Sequence, residues 1–473
     1  MLFNSHIFML LFLPLLLAGW YFLNWKKKFQ LAQGYLIGMS LWFYAYANLQ
    51  YLWLLLFSCL IGWLLSCLPE KIFSEKGKKV LTGIGCVFHL GLLGYFKYSN
   101  FFLENLNTVF HTDFPMLQIL LPVGISFYTF QQLAYLIDRC RGDAPRDSFF
   151  DYLTFMVYFP QLLQGPILLR SEFMGQLKEP ERRRFHAERF SEGIQFFVFG
   201  LAKKVLLADT LAKAVNYGYS NVSMLDSISA LLLAVGYLTE LYFDFSGYCD
   251  MAAGLGKMIG LEVAENFDAP FHSASVKEFW RRWHMTLGRF FTRYVYIPLG
   301  GNRKGKMRTL CNVMIVMLLS GLWHGAAWTF VLWGFLHGVG MIWDNLEHPH
   351  LPKKWMRQAA TFAYVCMTFV FFRAESIAQG VDVLKSIVSL KWNGFVFQMA
   401  SALDLTEFYM ITKALSMKLP GLLSWFWLGI FVVLIAICFR VLSGEKVSGV
   451  VALQRQKGYG RLYPVLLAVL FTW

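Results

Sequence analysis

The chain has 473 residues, of which 57% are hydrophobic, 18% aromatic and only 15% charged, with a formal net charge of +14. Apolar runs of about 20 residues recur from end to end, long enough to cross a bilayer core as helices, which excludes an ordinary soluble multidomain protein. The basic excess lies in short loops between those runs, the positive-inside arrangement, and reads as a face turned toward anionic cytoplasmic lipids rather than toward nucleic acid.

Taken in order, Ile7–Leu23 reads as a retained first helix, because no basic segment precedes it and no small-residue cleavage site follows. Lys26, Lys27 and Lys28 then place the N-terminus outside. Leu31–Leu49 and Gln50–Leu68 form two short spans that return to Lys71, Lys76, Lys78 and Lys79. Val80–Tyr98 crosses to a loop holding Glu104 and Asp113, and Leu117–Ile137 crosses back to Arg139, Arg141 and Arg146. Phe149–Leu169 is apolar but interrupted by Pro160 and by Gly165-Pro166, with basic loops on both sides. It reads either as a re-entrant element lining a cavity or as a proline-kinked interfacial pair.

Phe190–Leu207 and Ile228–Phe245 supply a further pair of spans, with Asp244 and Asp250 at the end of the second, where they serve as caps or as substrate ligands. Val276–Phe291 has the pattern of one amphipathic helix in the membrane interface. Val276, Phe279, Trp280, Trp283, Leu287 and Phe290 recur at helical spacing, and Lys277, Arg281, Arg282 and Arg289 oppose them. His284 lies at the border of the apolar arc. A Gly/Lys/Arg turn, Gly300–Gly305, follows and lacks the Lys-Ser/Thr of a phosphate loop.

Leu310–Trp343 spans about 34 residues between basic flanks. As one helix it would be ~51 Å long, too long for a ~30 Å core; as a hairpin of two full spans it is a little short. The turn is therefore expected near Gly321–Gly325, with His324 inside the membrane's thickness. Ala359–Phe372 and Leu422–Phe439 are further spans. Arg373–Pro420 between them reads as two surface helices, and Tyr463–Trp473 is too short to cross. The expected fold class is all-α, a polytopic membrane protein over residues 1–473 as one domain, with about eleven membrane segments including re-entrant ones.

No metal-ligand spacing is present, and the eight cysteines are scattered within apolar runs without a C-x-x-C pair. An ionisable residue within the membrane points to function by default. An imidazole withdrawn from water is uncharged and can accept a proton, so His324 suits a general base. Proton relay in a transporter and a packed structural histidine remain open on these grounds, as does a scaffold that recruits a partner through the basic Val276–Arg308 face.

The segment NFDAPFHSASVKEFWRRWHMTLGRFFTRYVYIPLGGNRKG (Asn266–Gly305), followed by SGLWHGAAWTFVLWGFLHG (Ser320–Gly338), resembles the membrane-bound O-acyltransferase family. Matches also occur at Leu121–Asp138, Phe159–Ile167, Tyr242–Gly256 and Val370–Ser376. The nearest branch in this resemblance is that of bacterial alginate O-acetylation, with teichoic-acid D-alanylation as a cousin. The resemblance implies helices around a central tunnel in the bacterial inner membrane, His324 as catalytic residue and His284 as a second motif histidine that positions donor or acceptor. Trp280, Trp283, Trp323 and Trp328 would either wall the tunnel or serve in packing, Asn266 and Asp250 would contact substrate, and His337 would be packing. No bound cofactor is implied. The donor would be an acyl thioester, acetyl-coenzyme A or an acyl carrier protein. A polysaccharide would be the acceptor, and an extracytoplasmic SGNH-type acetyltransferase the partner.

Overall fold

The computed structural model describes residues 1–67, 75–346, 353–405 and 408–442. Among them the chain is helical, with no strand. Among the described residues, six helices are long and apolar enough to cross a membrane: Phe8–Trp25, Leu49–Cys67, Lys76–Phe110, Ser227–Ile259, Lys306–His324 and Gly421–Phe439. Backbone groups in lipid must pair within their own segment, which is why a chain this apolar resolves into helices. The expected terminal run Tyr463–Trp473 lies outside the described residues, as do Lys71, Lys446, Arg455, Lys457 and Arg461.

The organising element is Ser227–Ile259, a 33-residue helix capped by Asp226, whose carboxylate accepts from Ser229 N–H at 2.8 Å. At ~1.5 Å per residue it is about 50 Å long. Its first half, with Leu233, Leu238 and Phe243, belongs to the core of the C-terminal half of the chain. Its second half, with Met251, Leu255 and Ile259, belongs to the core of the N-terminal half. The expected span ended at Phe245; the helix instead continues to Ile259, so Asp244 and Asp250 are interior residues and neither caps a helix. Their carboxylates are neutralised from the adjacent helix. Lys203 bonds Asp250 at 2.6 Å, and Lys204 bonds Asp244 at 2.5 Å and Asp209 at 2.7 Å. Both lysines open a wider, π-helical turn, Lys203–Ala208, which follows Ala187–Ala202 and leads into Asp209–Ser220.

That neighbouring helix approaches so closely because four glycines face each other across the contact. A Cβ on Gly200 would stand 2.4 Å from the Gly247 carbonyl oxygen, and one on Gly254 2.5 Å from that of Gly193. Small residues at seven-residue spacing let two backbones meet where apolar side chains alone give little driving force in lipid.

Other boundaries shift for local reasons. The expected span Val80–Tyr98 is part of a helical stretch running from Glu75 to Phe110 with a π-helical turn at Gly94–Tyr98. The expected span Leu117–Ile137 begins as a helix only at Ile125, after Pro122 and the left-handed Gly124 (φ 77°), and ends at Arg141. Phe149–Leu169 is broken as its prolines and glycine require, into Phe149–Met156 and Phe159–Leu162 followed by non-helical backbone. Among the described residues, Arg373–Pro420 holds three helices rather than the expected two: Ile377–Val388, Phe395–Ser401 and Tyr409–Lys418.

The expected hairpin is present as Lys306–His324 and Trp328–Asn345, joined at Gly325–Ala327. Gly321 and Gly334 bring its arms together: a Cβ on Gly321 would lie 2.3 Å from the Phe330 carbonyl oxygen, and one on Gly334 2.5 Å from that of Met317. Gly334→Val is therefore expected to force the arms apart at a cost of about 1–3 kcal/mol or more. The check is a thermal melt and size-exclusion profile in detergent, with a lower midpoint and less monodisperse protein. Gly38→Ala, where an added Cβ meets nothing within 4 Å, should leave both unchanged.

Candidate active site

His324 is the last residue of its helix. Gly325 is extended (φ −158°, ψ 152°), so the chain leaves the helical path at the histidine, and the final carbonyls lack the N–H groups that a further turn would supply. Two side chains of the Glu75–Phe110 stretch take them up. Tyr98 Oη donates to Leu322 O at 2.5 Å, and Lys97 Nζ donates to Trp323 O. The freed imidazole stands in an aromatic box, with ring centroids 4.9 Å from Trp323, 5.1 Å from Phe372 and 5.2 Å from Trp333. A cavity of about 270 Å³ opens here, and His324, His284, Trp283, Trp323, Trp333, Lys97, Ser126 and Asp244 contribute to its lining.

His284 reaches the same cavity because the expected amphipathic helix is not continuous. Val276–Arg282 and Met285–Phe291 are separate helices, and His284 between them takes a left-handed conformation (φ 47°, ψ 51°). Such a conformation costs a residue with a side chain on the order of 1–3 kcal/mol and persists only where the surroundings impose it. Asn266, 2% exposed, imposes it here. Its backbone carbonyl accepts from Met285 N–H at 3.0 Å, and its Oδ1 accepts from Thr286 N–H at 3.1 Å and Thr286 Oγ1 at 2.9 Å. His284 Nδ1 lies 3.2 Å from the same Oδ1. An oxygen that accepts from a backbone N–H is the amide's acceptor end, so Nδ1 must carry the proton and Nε2 the lone pair. Nε2 is buried without a hydrogen-bond partner among the described residues. The two imidazoles have centroids 6.4 Å apart.

The other expected site residues divide. Trp283 and Trp323 line the cavity. Asn266 stands behind His284 as its support rather than at the cavity wall. Trp280 does not line the cavity: its Nε1 donates to His337 Nδ1 at 3.2 Å. His337, 0% exposed, also meets Thr368 Oγ1 through Nε2 at 2.9 Å, so both ring nitrogens are engaged. That is the arrangement of a packing histidine. Asp250 is held by Lys203 and is absent from the lining, and Trp328 is 56% exposed, its Nε1 on Asn105. Asp244, one of the two aspartates weighed as caps or substrate ligands, lines the cavity, and so does Lys97, which the sequence reading did not single out. A lone lysine in an otherwise apolar run was the available signal for Lys97.

The family model for membrane-bound O-acyltransferases matches residues 146–379, which contain both cavity histidines. The chain is 35% identical over 423 residues to a peptidoglycan O-acetyltransferase of Helicobacter pylori, covering 82% of this chain and 80% of that protein. It is 39% identical over 389 residues to a probable alginate O-acetylase of Azotobacter vinelandii, covering 80% and 76% respectively. The chain belongs to the membrane-bound O-acyltransferase family. It is also 28% identical over 253 residues to a teichoic acid D-alanyltransferase of Streptococcus thermophilus, with 50% of this chain and 58% of that protein covered. Membership makes the chain a membrane acyltransferase.

Asn266→Ala would leave the Nδ1–H of His284 and the Thr286 N–H without their acceptor, at about 1–3 kcal/mol per group. The expected outcome is a lowered melting midpoint together with weakened acyl transfer, read by labelled-acyl incorporation. Trp328→Phe at its exposed position should change neither.

Proposed function

We propose that the protein transfers an acyl group, acetyl in the first instance, from a thioester donor reaching the cavity from the cytoplasm to a hydroxyl reaching it from the other side, with His324 as general base. The observation that carries this reading is the position of His324. Its ring ends a helix, sits in a cavity rather than in solid packing, and has no hydrogen-bond partner among the described residues. A general base must be within reach of the proton it removes and must not be occupied by the protein. The arms of its hairpin are 19 and 18 residues, about 28 and 27 Å, and both begin or end near basic residues. With their outer turns at the headgroups, the apex and its histidine lie within the ~30 Å core, where both substrates are shielded from bulk water.

His284, which lines the same cavity with its ring centroid 6.4 Å from that of His324, supports the reading. Its Nε2 lone pair lacks a partner, and it would accept a hydrogen bond from whichever substrate is seated against it. The three carboxylate–lysine contacts, Lys203–Asp250, Lys204–Asp244 and Lys204–Asp209, engage these charges with one another along the adjacent helices. The transporter and scaffold readings lose their ground to the family assignment. The names of the two relatives matched over four-fifths of the chain favour acetyl over D-alanyl as the group moved, and a cell-surface polysaccharide as its destination. We place the enzyme in a bacterial inner membrane, and the final transfer to polymer with an SGNH-type partner outside it.

His324→Ala should abolish polymer O-acetylation, a loss at or beyond the ~10²–10⁴-fold that general-base assistance supplies. Because the ring bonds no described side chain, the variant should melt within a few degrees of the wild type. Retained acetylation in a folded His324→Ala protein would remove the proposal.

A further inference from the structure

We propose that Lys97 is a catalytic residue of this site, binding the oxyanion that forms on the acyl carbonyl as the hydroxyl attacks. The inference rests on the reading of the cavity as the place of acyl transfer and goes beyond it. The family model begins at residue 146, so Lys97 lies outside the matched residues.

Lys97 sits on the π-helical turn Gly94–Tyr98, and its ammonium reaches across to the hairpin apex. A π-helical turn within a helix often marks a functional position, because it swings one side chain out of the regular register. The ammonium has three N–H donors. One goes to Trp323 O, and one to Ser126 Oγ at 3.0 Å. The third has no acceptor among the described residues, and Lys97 and Ser126 both line the cavity that His324 faces. Among the described residues no carboxylate lies within 4 Å of the lysine, in contrast to Lys203 and Lys204, each of which is paired. Its charge is instead held by neutral groups: the C-terminal end of the His324 helix, whose dipole favours a cation, and the faces of Trp323 and Tyr98, whose centroids lie 5.8 and 5.9 Å away. A cation withdrawn from water with no carboxylate within 4 Å is costly, and an anion that exists only during the reaction offsets that cost at the right moment.

The acceptor oxygen forms a bond to the thioester carbon while His324 takes the hydroxyl proton. The carbonyl π pair moves to oxygen, and the resulting oxyanion accepts the third N–H of Lys97. The oxyanion then collapses, the carbon–sulfur bond breaks, and the thiolate takes the proton back from the imidazolium, leaving ester and thiol.

A purely structural lysine would cap the helix and do no more, so the test must read charge at the reacting centre. Pantetheine is the reactive arm shared by coenzyme A and carrier proteins. Two derivatives of it serve as probes for the purified enzyme: the S-ethyl thioether, without a carbonyl, and an anionic tetrahedral methylphosphonate mimic of the addition intermediate. Wild type should bind the phosphonate at least ~10²-fold more tightly than the thioether. Lys97→Gln keeps a donor for the helix end but no charge. It should lose most of that preference and ~10²–10³-fold in kcat while KM for acetyl-pantetheine stays within a few-fold. Tyr98→Phe, which removes a bond to the same helix end without touching charge, should lower the melting midpoint and keep the preference. His324→Ala should lose turnover yet keep the preference, which separates this proposal from the base reading. If wild type shows no preference for the phosphonate, the proposal fails whether or not the variant folds. If Lys97→Gln keeps the preference, or weakens both probes equally, it fails as well.

Discussion

A helix that stops inside an apolar interior exposes carbonyls that water cannot reach, and the rest of this site follows from how that debt is met. Lys306–His324 ends at its histidine because Gly325 turns away, and Tyr98 and Lys97 arrive from another helix to hold Leu322 O and Trp323 O. Had the helix continued, the ring of His324 would be one more side chain on a packed surface. Ending it there places the imidazole at an apex, in a box of Trp323, Trp333 and Phe372, with space in front of it.

The second histidine depends on a comparable interruption. Asn266 collects the loose ends of a helix break and in doing so fixes the His284 ring, its tautomer and its strained backbone. Around both histidines, the interior charge is handled in two ways. Asp244 and Asp250 are matched by Lys204 and Lys203, which settles them as structure along the central helix. Lys97 is matched only by dipoles and aromatic faces. A matched pair stabilises one arrangement, whereas an unmatched cation is poised for a partner that comes and goes.

Much of this was legible in the sequence. The hairpin followed from a run too long for one span and too short for two, and the turn fell beside the histidine at Gly325–Ala327. The break at Trp283–His284 was hidden because a single left-handed residue leaves the apolar spacing of Val276, Phe279, Trp280, Leu287 and Phe290 nearly undisturbed, and because its cause, Asn266, belongs to the preceding loop. The full length of Ser227–Ile259 was hidden for a related reason. Asp244 and Asp250 look like the end of a span until Lys203 and Lys204, some forty residues earlier, are brought against them. Lys97 was obscured by its place at the end of an apolar run, where a lysine reads as a headgroup anchor. Only the fold shows that the helix goes on to Phe110 and that the ammonium turns inward.

The central claim is that the acyl group travels to the apex of the Lys306–Asn345 hairpin. Photolabelling with a thioester of pantetheine whose acyl chain carries a diazirine tests it most directly, because peptide mapping then reports where the acyl carbon rests. The account predicts labelling of the cavity wall at Trp323, Trp333 or Phe372, suppressed by excess acetyl-pantetheine. Competable labelling confined to residues elsewhere, with the cavity wall unmarked, would contradict it.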